Sequence, residues 1–482
     1  MINPTLIVGL AGWIITVFSA AFLLPLLSSF ILQDGSERCF LLSFIISLGL
    51  GGFLVFLGGQ EVRHQEPRYR DGLAVVGLTW LALNILGALP YWISEVLGFW
   101  DGLFESFSGL SSTGATVIAD LRPIPRGLLF WRSLSQWLGG MGIIVLMVAV
   151  LPFLGVGGQM MLKNESSGPS SEKLRPRVTQ TAKFLWLIYL GLTVLLFGLL
   201  TLGGESIFQA LCQSLTTIST GGFSNFNESA AVHESYYIKW VLIIFMFIGS
   251  LSFAILFQVL TGHLKAILNP EVIFFAVIVL GASFLVAIPL MAVRFYSPGQ
   301  SLFQALFQVI SVISTTGLTT ANWGLWPDLS RAVLLALFFV GGCSGSTSGG
   351  LKCVRWLILF KSLHRAFRRY IHPRGVFPIR LGGKSVPDSV LEKVWLFFLL
   401  YLISLGAGTL ILLFMGLDLG TSFSATASAL GNVGPVLGSL GPTETLASLP
   451  GPAKGVLSIC MLLGRLEFYS FLVLLFPEFW SR

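Results

Sequence analysis

Charge is what this chain has least of. Only 11% of its 482 residues are Asp, Glu, Lys or Arg, against about 25% in soluble globular proteins. A soluble chain of this length could not cover itself with so little polar surface. Titratable and ligand-forming side chains are scarce as well. The five histidines are dispersed. The five cysteines (Cys39, Cys212, Cys343, Cys353, Cys460) are scattered, odd in number and mostly inside apolar runs. That distribution excludes a disulfide framework and offers no metal-ligand spacing. There is no nucleophilic triad, phosphate-cradling glycine loop or carboxylate dyad, so an enzymatic reading has no residues to stand on. No basic segment precedes the first apolar run, which is too long for a signal-peptide core, so no removable leader is expected.

What is abundant is apolar sequence, 54% of the chain. Apolar runs fall near 6–31, 40–59, 73–97, 128–152, 183–203, 236–261, 270–293, 331–342 with 351–361, 391–416 and 453–477. Most are long enough to cross ~30 Å of hydrocarbon. The expected fold is an all-α polytopic membrane protein of ten spans, one of them interrupted.

The net charge of +7 would suit nucleic acid, but its distribution does not. With a cytoplasmic N-terminus, the inner side holds the connections near 60–72, 153–182, 262–269 and 362–390 and the C-terminus. It then carries 20 of the 29 lysines and arginines, as the positive-inside rule requires. The basic cytoplasmic loop at 362–390 is richest, with Arg365, Arg368, Arg369, Arg374 and Arg380. Orientation alone accounts for such a cluster; a docking surface for a cytosolic partner or for anionic lipid is the functional reading.

Four connections on the outer side are unusual. Each opens with an apolar stretch too short to span and ends in hydroxylated residues and glycine: FESFSGLSSTGAT, IFQALCQSLTTISTGGFS, LFQALFQVISVISTTGLTT and SFSATASALGNVGP. Aligned on Gly114, Gly221, Gly317 and Gly434, they recur at intervals of 107, 96 and 117 residues. The implied unit is span, short helix, loop, span. It divides the chain into two extra N-terminal spans (1–60) and repeats at 73–152, 183–261, 270–361 and 391–477, the third with a broken second span.

Irregular backbone at membrane depth survives only where protein or water surrounds it. Four re-entrant loops therefore imply one central cavity. Rings of backbone carbonyls replace the hydration shell of potassium in known filters, and glycine reaches the required backbone conformations without steric cost. The expected ion-contacting residues are Ser112, Thr113 and Gly114; Ser219, Thr220 and Gly221; Thr315, Thr316 and Gly317; Asn432, Val433 and Gly434. Each short helix would aim its partly negative C-terminal end at the cavity. Asp101 and Glu105 are expected to add negative potential at the outer mouth.

These loop sequences, together with WRSLSQWLGGMGI and GGCSGSTSGGLK, resemble the Trk/Ktr/HKT superfamily of potassium translocation subunits, closest to its bacterial TrkH/TrkG branch. The likeness covers essentially the whole chain. It implies potassium selectivity through Gly114, because some plant relatives with serine there carry sodium. It also implies a homodimer with one pore per protomer in the bacterial inner membrane. Cytosolic nucleotide-binding regulatory subunits of the TrkA type would dock on the inner face. NAD(H) and ATP would act only through that partner, since this chain has no nucleotide motif.

Two features interrupt the apolar pattern. The run Gly341–Gly350 places five glycines and four hydroxyl residues inside a span, and each glycine costs a helix roughly 1 kcal/mol relative to alanine. The helix should break there. Gly345, Ser346, Thr347, Gly349 and Gly350 then form either a movable gate, as the resemblance implies, or a passive kink. Arg465 lies deep in the final span, where a charge costs ~2.5–3.5 kcal/mol on insertion scales. It is expected to face the cavity or find a partner other than Glu467, two residues on and on another helix face. A barrier to cations and a structural role satisfied by loop carbonyls both remain open. In WRSLSQWLGGMGI, the glycines at 139, 140 and 142 suit close helix contact or a bend.

The rival reading is a symporter coupling potassium to sodium or protons. Such proteins also use broken helices near the midplane but usually show inverted halves.

Overall fold

The computed structural model describes residues 3–59, 68–154 and 174–480. Parts of the expected inner connections, 60–67 and 155–173, lie outside the described residues. Among those described, the only strands form the two-residue antiparallel hairpin Arg380–Leu381 with Lys384–Ser385. Everything else regular is helix, as expected where no water is present to satisfy backbone polar groups.

Among the described residues, six stretches are long and apolar enough to cross a membrane: Pro4–Leu32, Glu37–Gly58, Arg70–Ile93, Ala182–Leu202, Pro270–Ala292 and Asp388–Phe414. A bent pair makes up to seven. Large apolar side chains cover the outer surface, with Phe414 94%, Leu202 82% and Phe56 81% exposed. Such a surface suits hydrocarbon rather than water. The chain is a multi-pass membrane protein.

The breaks are more numerous than the one expected. The run at 236–261 is two helices, Tyr236–Gly249 and Phe253–Leu260, bent by 103°. The final span stops being helical at Arg465 and continues in short pieces. The glycine-rich run separates Asp328–Leu337 from Cys353–Ile371. These breaks serve one another. Cys343 N–H donates to Ser250 O (2.8 Å), and Phe253 N–H donates to Gly345 O (3.0 Å). Backbone groups freed by one interruption are thus satisfied by the other. Helix Arg126–Leu154 instead runs unbroken through Gly139 and Gly140. A Cβ at Gly139 would lie 2.0 Å from Leu110 O, so that glycine permits close packing.

Four short helices, Phe99–Leu110, Ile207–Ile218, Pro298–Ile313 and Leu419–Gly431, stand in the interior. Helix Arg126–Leu154 packs on Ile207–Ile218, Tyr236–Gly249 on Pro298–Ile313, and Gly451–Arg465 on Phe99–Leu110. The last contact joins the end of the chain to its beginning.

The N-terminal helices form a hairpin that is welded to the first unit by Phe22 against Trp131 (centroids 4.6 Å apart) and by Asp34. The Asp34 carboxylate accepts from Ser29, from Ser36 through both N–H and hydroxyl, and from the N–H of Gly127. Partial burial alone would raise its pKa, but these hydrogen bonds outweigh that and hold it below the ordinary 3.8. A depressed carboxylate stabilises above its unfolded pKa, and the contribution is lost as pH falls through the folded value. Asp34→Asn is therefore expected to lower the melting temperature of the detergent-solubilised protein at neutral pH. The gap to the unmodified chain should close on acidification below the ordinary carboxylate value; a gap independent of pH would contradict the ionised clasp.

Candidate functional site

The four short helices end in one way. Each is followed by a residue in the left-handed region: Ser112 (φ 55°), Thr220 (52°), Thr315 (59°) and Asn432 (52°). The next N–H then reaches back five residues: Thr113 to Ser108 O (2.9 Å), Gly221 to Thr216 O (2.8 Å), Thr316 to Ser311 O (2.9 Å), and Val433 to Ser428 O (2.9 Å). This is the Schellman ending, in which glycine or asparagine is the usual left-handed residue. Serine and threonine there cost of order 1–3 kcal/mol each, so the surroundings must hold them in place. The residue after next is glycine with positive φ in every loop: Gly114 (83°), Gly222 (77°), Gly317 (77°) and Gly434 (101°).

That register corrects the sequence alignment in the second loop. Gly222, not Gly221, matches the other three glycines, and Thr220 rather than Ser219 matches Ser112, Thr315 and Asn432. Ser219 is instead the C-cap residue that corresponds to Ser111 and Ser314. The doubled glycine of STGGFS was the available signal, but either member fits a pattern of one glycine per loop.

The glycines have no room for a side chain. A Cβ would fall 2.1 Å from Gly221 O at Gly114, 1.6 Å from Thr316 O at Gly222, 2.2 Å from Val433 O at Gly317, and 2.7 Å from Thr113 O at Gly434. Each loop therefore presses its glycine against the carbonyl of the next, and the fourth closes on the first. Gly114, Gly222, Gly317 and Gly434 all line one cavity of about 460 Å³. Gly221 does not line it; Gln136 occupies the space beside Gly221, with Cδ 2.4 Å from the Cβ position. Gln136 donates to Gly221 O (2.7 Å) and accepts from Phe223 N–H (3.0 Å), clamping the second loop.

Glu105 and Asp101 do not supply free negative potential. Glu105 is fully buried and bonded to Arg132 Nε (2.7 Å), and it accepts from Thr116 and from Val117 N–H. Arg132 continues to Ser224 O (2.9 Å), tying the first loop to the second. Asp101 pairs with Lys454 Nζ at 2.6 Å. These carboxylates brace the loops, because each has a cation in contact.

On the side opposite the cavity, the glycine-rich segment sits against the loops. Thr347 Oγ1 donates to Ile218 O and Gly249 O (both 3.1 Å) and meets Thr220 Oγ1 at 3.2 Å. Gly349 N–H donates to Thr315 Oγ1 (2.8 Å). Ser346 bonds within the segment, to Cys343 O and Ser348 Oγ (2.7 Å each). Gly350 has positive φ (69°), and a Cβ at Gly345 would be strained for the same reason (79°).

Arg465, 3% exposed, donates to Thr347 O (2.7 Å), Ser112 Oγ (3.0 Å) and Gly139 O (3.0 Å). It joins the segment to the first loop, and no carboxylate among the described residues is paired with it. Glu467 pairs instead with Arg355 (2.6 Å).

The basic cluster lies apart from this centre. Helix Cys353–Ile371 carries Arg365, Arg368 and Arg369. Arg365 pairs with Asp388 (2.7 Å), and Arg368 lies over the Phe377 ring (5.1 Å). Arg374 and Arg380 are exposed. Sequence reasoning gave no role to Gln136, Arg132 or Glu271. Arg132 and Gln136 share the short polar stretch RSLSQ and Glu271 follows Asn269-Pro270, and only the fold shows what each touches.

Gly222→Ala tests the loop contact. Gly204 has a similar φ (96°) but nothing within 4 Å of its Cβ position, so Gly204→Ala carries the conformational cost alone. Gly222→Ala should melt at least roughly 2 °C lower than Gly204→Ala. Equal melting points would show that the close approach is not stabilising.

Residues 37–481 match the family model for TrkH, described as a cation transport protein. The chain is 38% identical over 482 residues to the Trk system potassium uptake protein TrkH of Salmonella typhimurium, with 99% of each chain covered. It is 34% identical over 476 residues to TrkG of Escherichia coli, covering 98% of this chain and 97% of that one. The crystal structure of the potassium transporter TrkH from Vibrio parahaemolyticus superposes with a TM-score of 0.92 at 36% identity, over 100% of both chains. A ring of four glycine-tipped loops in a multi-pass helical protein, with these matches over its whole length, places the chain in the TrkH family of cation transport proteins, which are not enzymes.

Proposed function

We propose that the chain is the potassium-translocating, channel-like subunit of an uptake system. Ten spans and four pseudo-fourfold repeats would enclose one pore. The ion, as cargo, would shed water for backbone oxygens of the four loops. The observation that carries this reading is the closed sequence of glycine-to-carbonyl contacts around a single cavity. Four oxygens held at fixed spacing by neighbouring backbone can replace a hydration shell. The names of the relatives as potassium uptake proteins support the choice of ion. Thr113, Gly221, Thr316 and Val433 supply the carbonyls between loops, and Gly114, Gly222, Gly317 and Gly434 permit their approach.

The segment 341–350 is the gate in this reading. It lies directly against the loops and is held there by side-chain hydroxyls and one arginine, bonds that break without unfolding a helix. Arg465 adds a positive charge, which raises the barrier to a cation. The chain works as a homodimer in the bacterial inner membrane, with both termini cytoplasmic. The exposed arginines 368, 369, 374 and 380, with Arg365, form part of the surface where TrkA-type nucleotide-binding subunits dock.

Two measurements in proteoliposomes test the proposal. Potassium and rubidium flux should exceed sodium and lithium flux by roughly tenfold or more, ~1.4 kcal/mol of discrimination; equal flux of all four removes the selectivity. A reversal potential that follows a proton or sodium gradient at fixed potassium would favour symport instead. Arg465→Ala should raise basal flux. Unchanged flux from a protein that folds normally would sink its role as a barrier.

A further inference from the structure

The segment 341–350 leaves the helical path and returns to it. Its two limbs are closed against each other by Gly341 N–H to Leu351 O (2.9 Å) and Cys353 N–H to Gly342 O (3.1 Å). Outside that neck stands one carboxylate from the first span of the same repeat. Glu271 Oε1 accepts from Ser344 N–H (2.6 Å) on the outgoing limb and from Val354 N–H (3.1 Å) at the start of the returning helix. Glu271 is 6% exposed.

The fold supplies hydrogen-bond donors to a side-chain oxygen at this place. Glu271 is the second residue of helix Pro270–Ala292, whose N-cap Asn269 accepts from its N–H (2.9 Å). A carboxylate in a first helical turn is stabilised by the helix dipole. Val354 is likewise in the first turn of Cys353–Ile371, where its N–H has no partner within its own helix. One carboxylate therefore satisfies an orphan donor of a second helix and a loop donor together. Hydrogen bonds to charged groups are stronger than neutral ones; the one from Val354 is buried and the one from Ser344 part-buried.

We infer that Glu271 is the positioning residue that pins the neck of the segment, and with it the segment's place beneath the four loops. The inference rests on the gating role proposed above. Helix Pro270–Ala292 begins directly after the turn Leu264–Leu268 on the inner side. Displacement of that turn moves Glu271 away from two donors that belong to the segment's ends. The carboxylate is thus the mechanical link between the inner surface and the segment, whereas Thr347 and Arg465 hold the tip.

The experiment uses the full chain in proteoliposomes and reads basal rubidium uptake. A second readout is labelling of Cys343 and Cys353 by a membrane-impermeant thiol reagent, located by mass spectrometry. Both thiols sit at the neck and are fully buried. Glu271→Ala removes both acceptor bonds and should raise basal uptake roughly tenfold, as expected for lost hydrogen bonds to a charged group, and expose the two cysteines. Glu271→Gln keeps an acceptor oxygen and should lie near the unmodified chain in both readouts, whereas Glu271→Leu, which fills similar space without an acceptor, should behave like Glu271→Ala; a Leu variant that matches Gln would show a merely space-filling role. Val354→Pro removes one donor at a first-turn position that tolerates proline and should give an intermediate rise, whether or not Glu271→Ala folds. Deletion of residues 345–348 is the reference for an absent gate. If the deletion raises uptake while Val354→Pro and a folded Glu271→Ala change neither readout, the pin is wrong and the gate stands. If the deletion leaves uptake unchanged, the gating role fails and the pin with it.

Discussion

Backbone amides and carbonyls that leave a helix inside a membrane must find partners other than water, and the interior of this protein is organised by that constraint. An unpartnered group there costs several kcal/mol. Four helices stop in the interior, and several longer ones break. Every one of these interruptions releases donors and acceptors at a depth where nothing else can take them. The solution is mutual. The short helices close on themselves with left-handed caps, the loops press against one another in a ring, and the broken helices exchange bonds with the segment at 341–350.

This arrangement has two mechanical grades. The loops are held by steric contact and buried ion pairs: glycines that admit no side chain, Gln136 in the space beside Gly221, and Glu105 with Arg132. Rigid spacing is what discrimination between ions of similar chemistry needs. The segment below is held by hydroxyls, two backbone N–H groups on one carboxylate, and the guanidinium of Arg465. Such bonds exchange between partners at modest cost. In the function proposed above, a stiff ring beside a detachable strap would separate selection from gating. The division also explains why the acidic residues near the outer mouth are paired: their charge orders the loops and is not free to attract ions.

Sequence and structure diverge most where neighbours share the same chemistry. The stretch Ser219-Thr220-Gly221-Gly222 offers two glycines and two hydroxyls, and no local rule chooses between registers. The choice is made by Gln136, from another helix, which fills the space over Gly221 and leaves Gly222 to face Thr316 O. The bend at Ser250–Ser252 was equally silent, since serine is tolerated in helices and nothing in the run 236–261 resembles the glycine cluster at 341–350. Its helix breaks where Ser250 O accepts from Cys343 N–H and Phe253 N–H turns to Gly345 O.

The amino-acid order alone determined the class, a multi-pass helical membrane protein. Apolar runs without charge must be helices in a membrane. Short apolar stretches ending in hydroxyl and glycine must turn back, and a cluster of five glycines must break its helix. These are properties of one segment in one solvent, so they can be read one segment at a time. Tertiary structure alone decided which glycine of a pair enters the ring, which helices bend, and what Glu105, Arg132, Glu271 and Arg465 touch. Those outcomes depend on groups from 27 to 353 residues away competing for the same donors, acceptors and space, a competition that has no signature in the local order of residues.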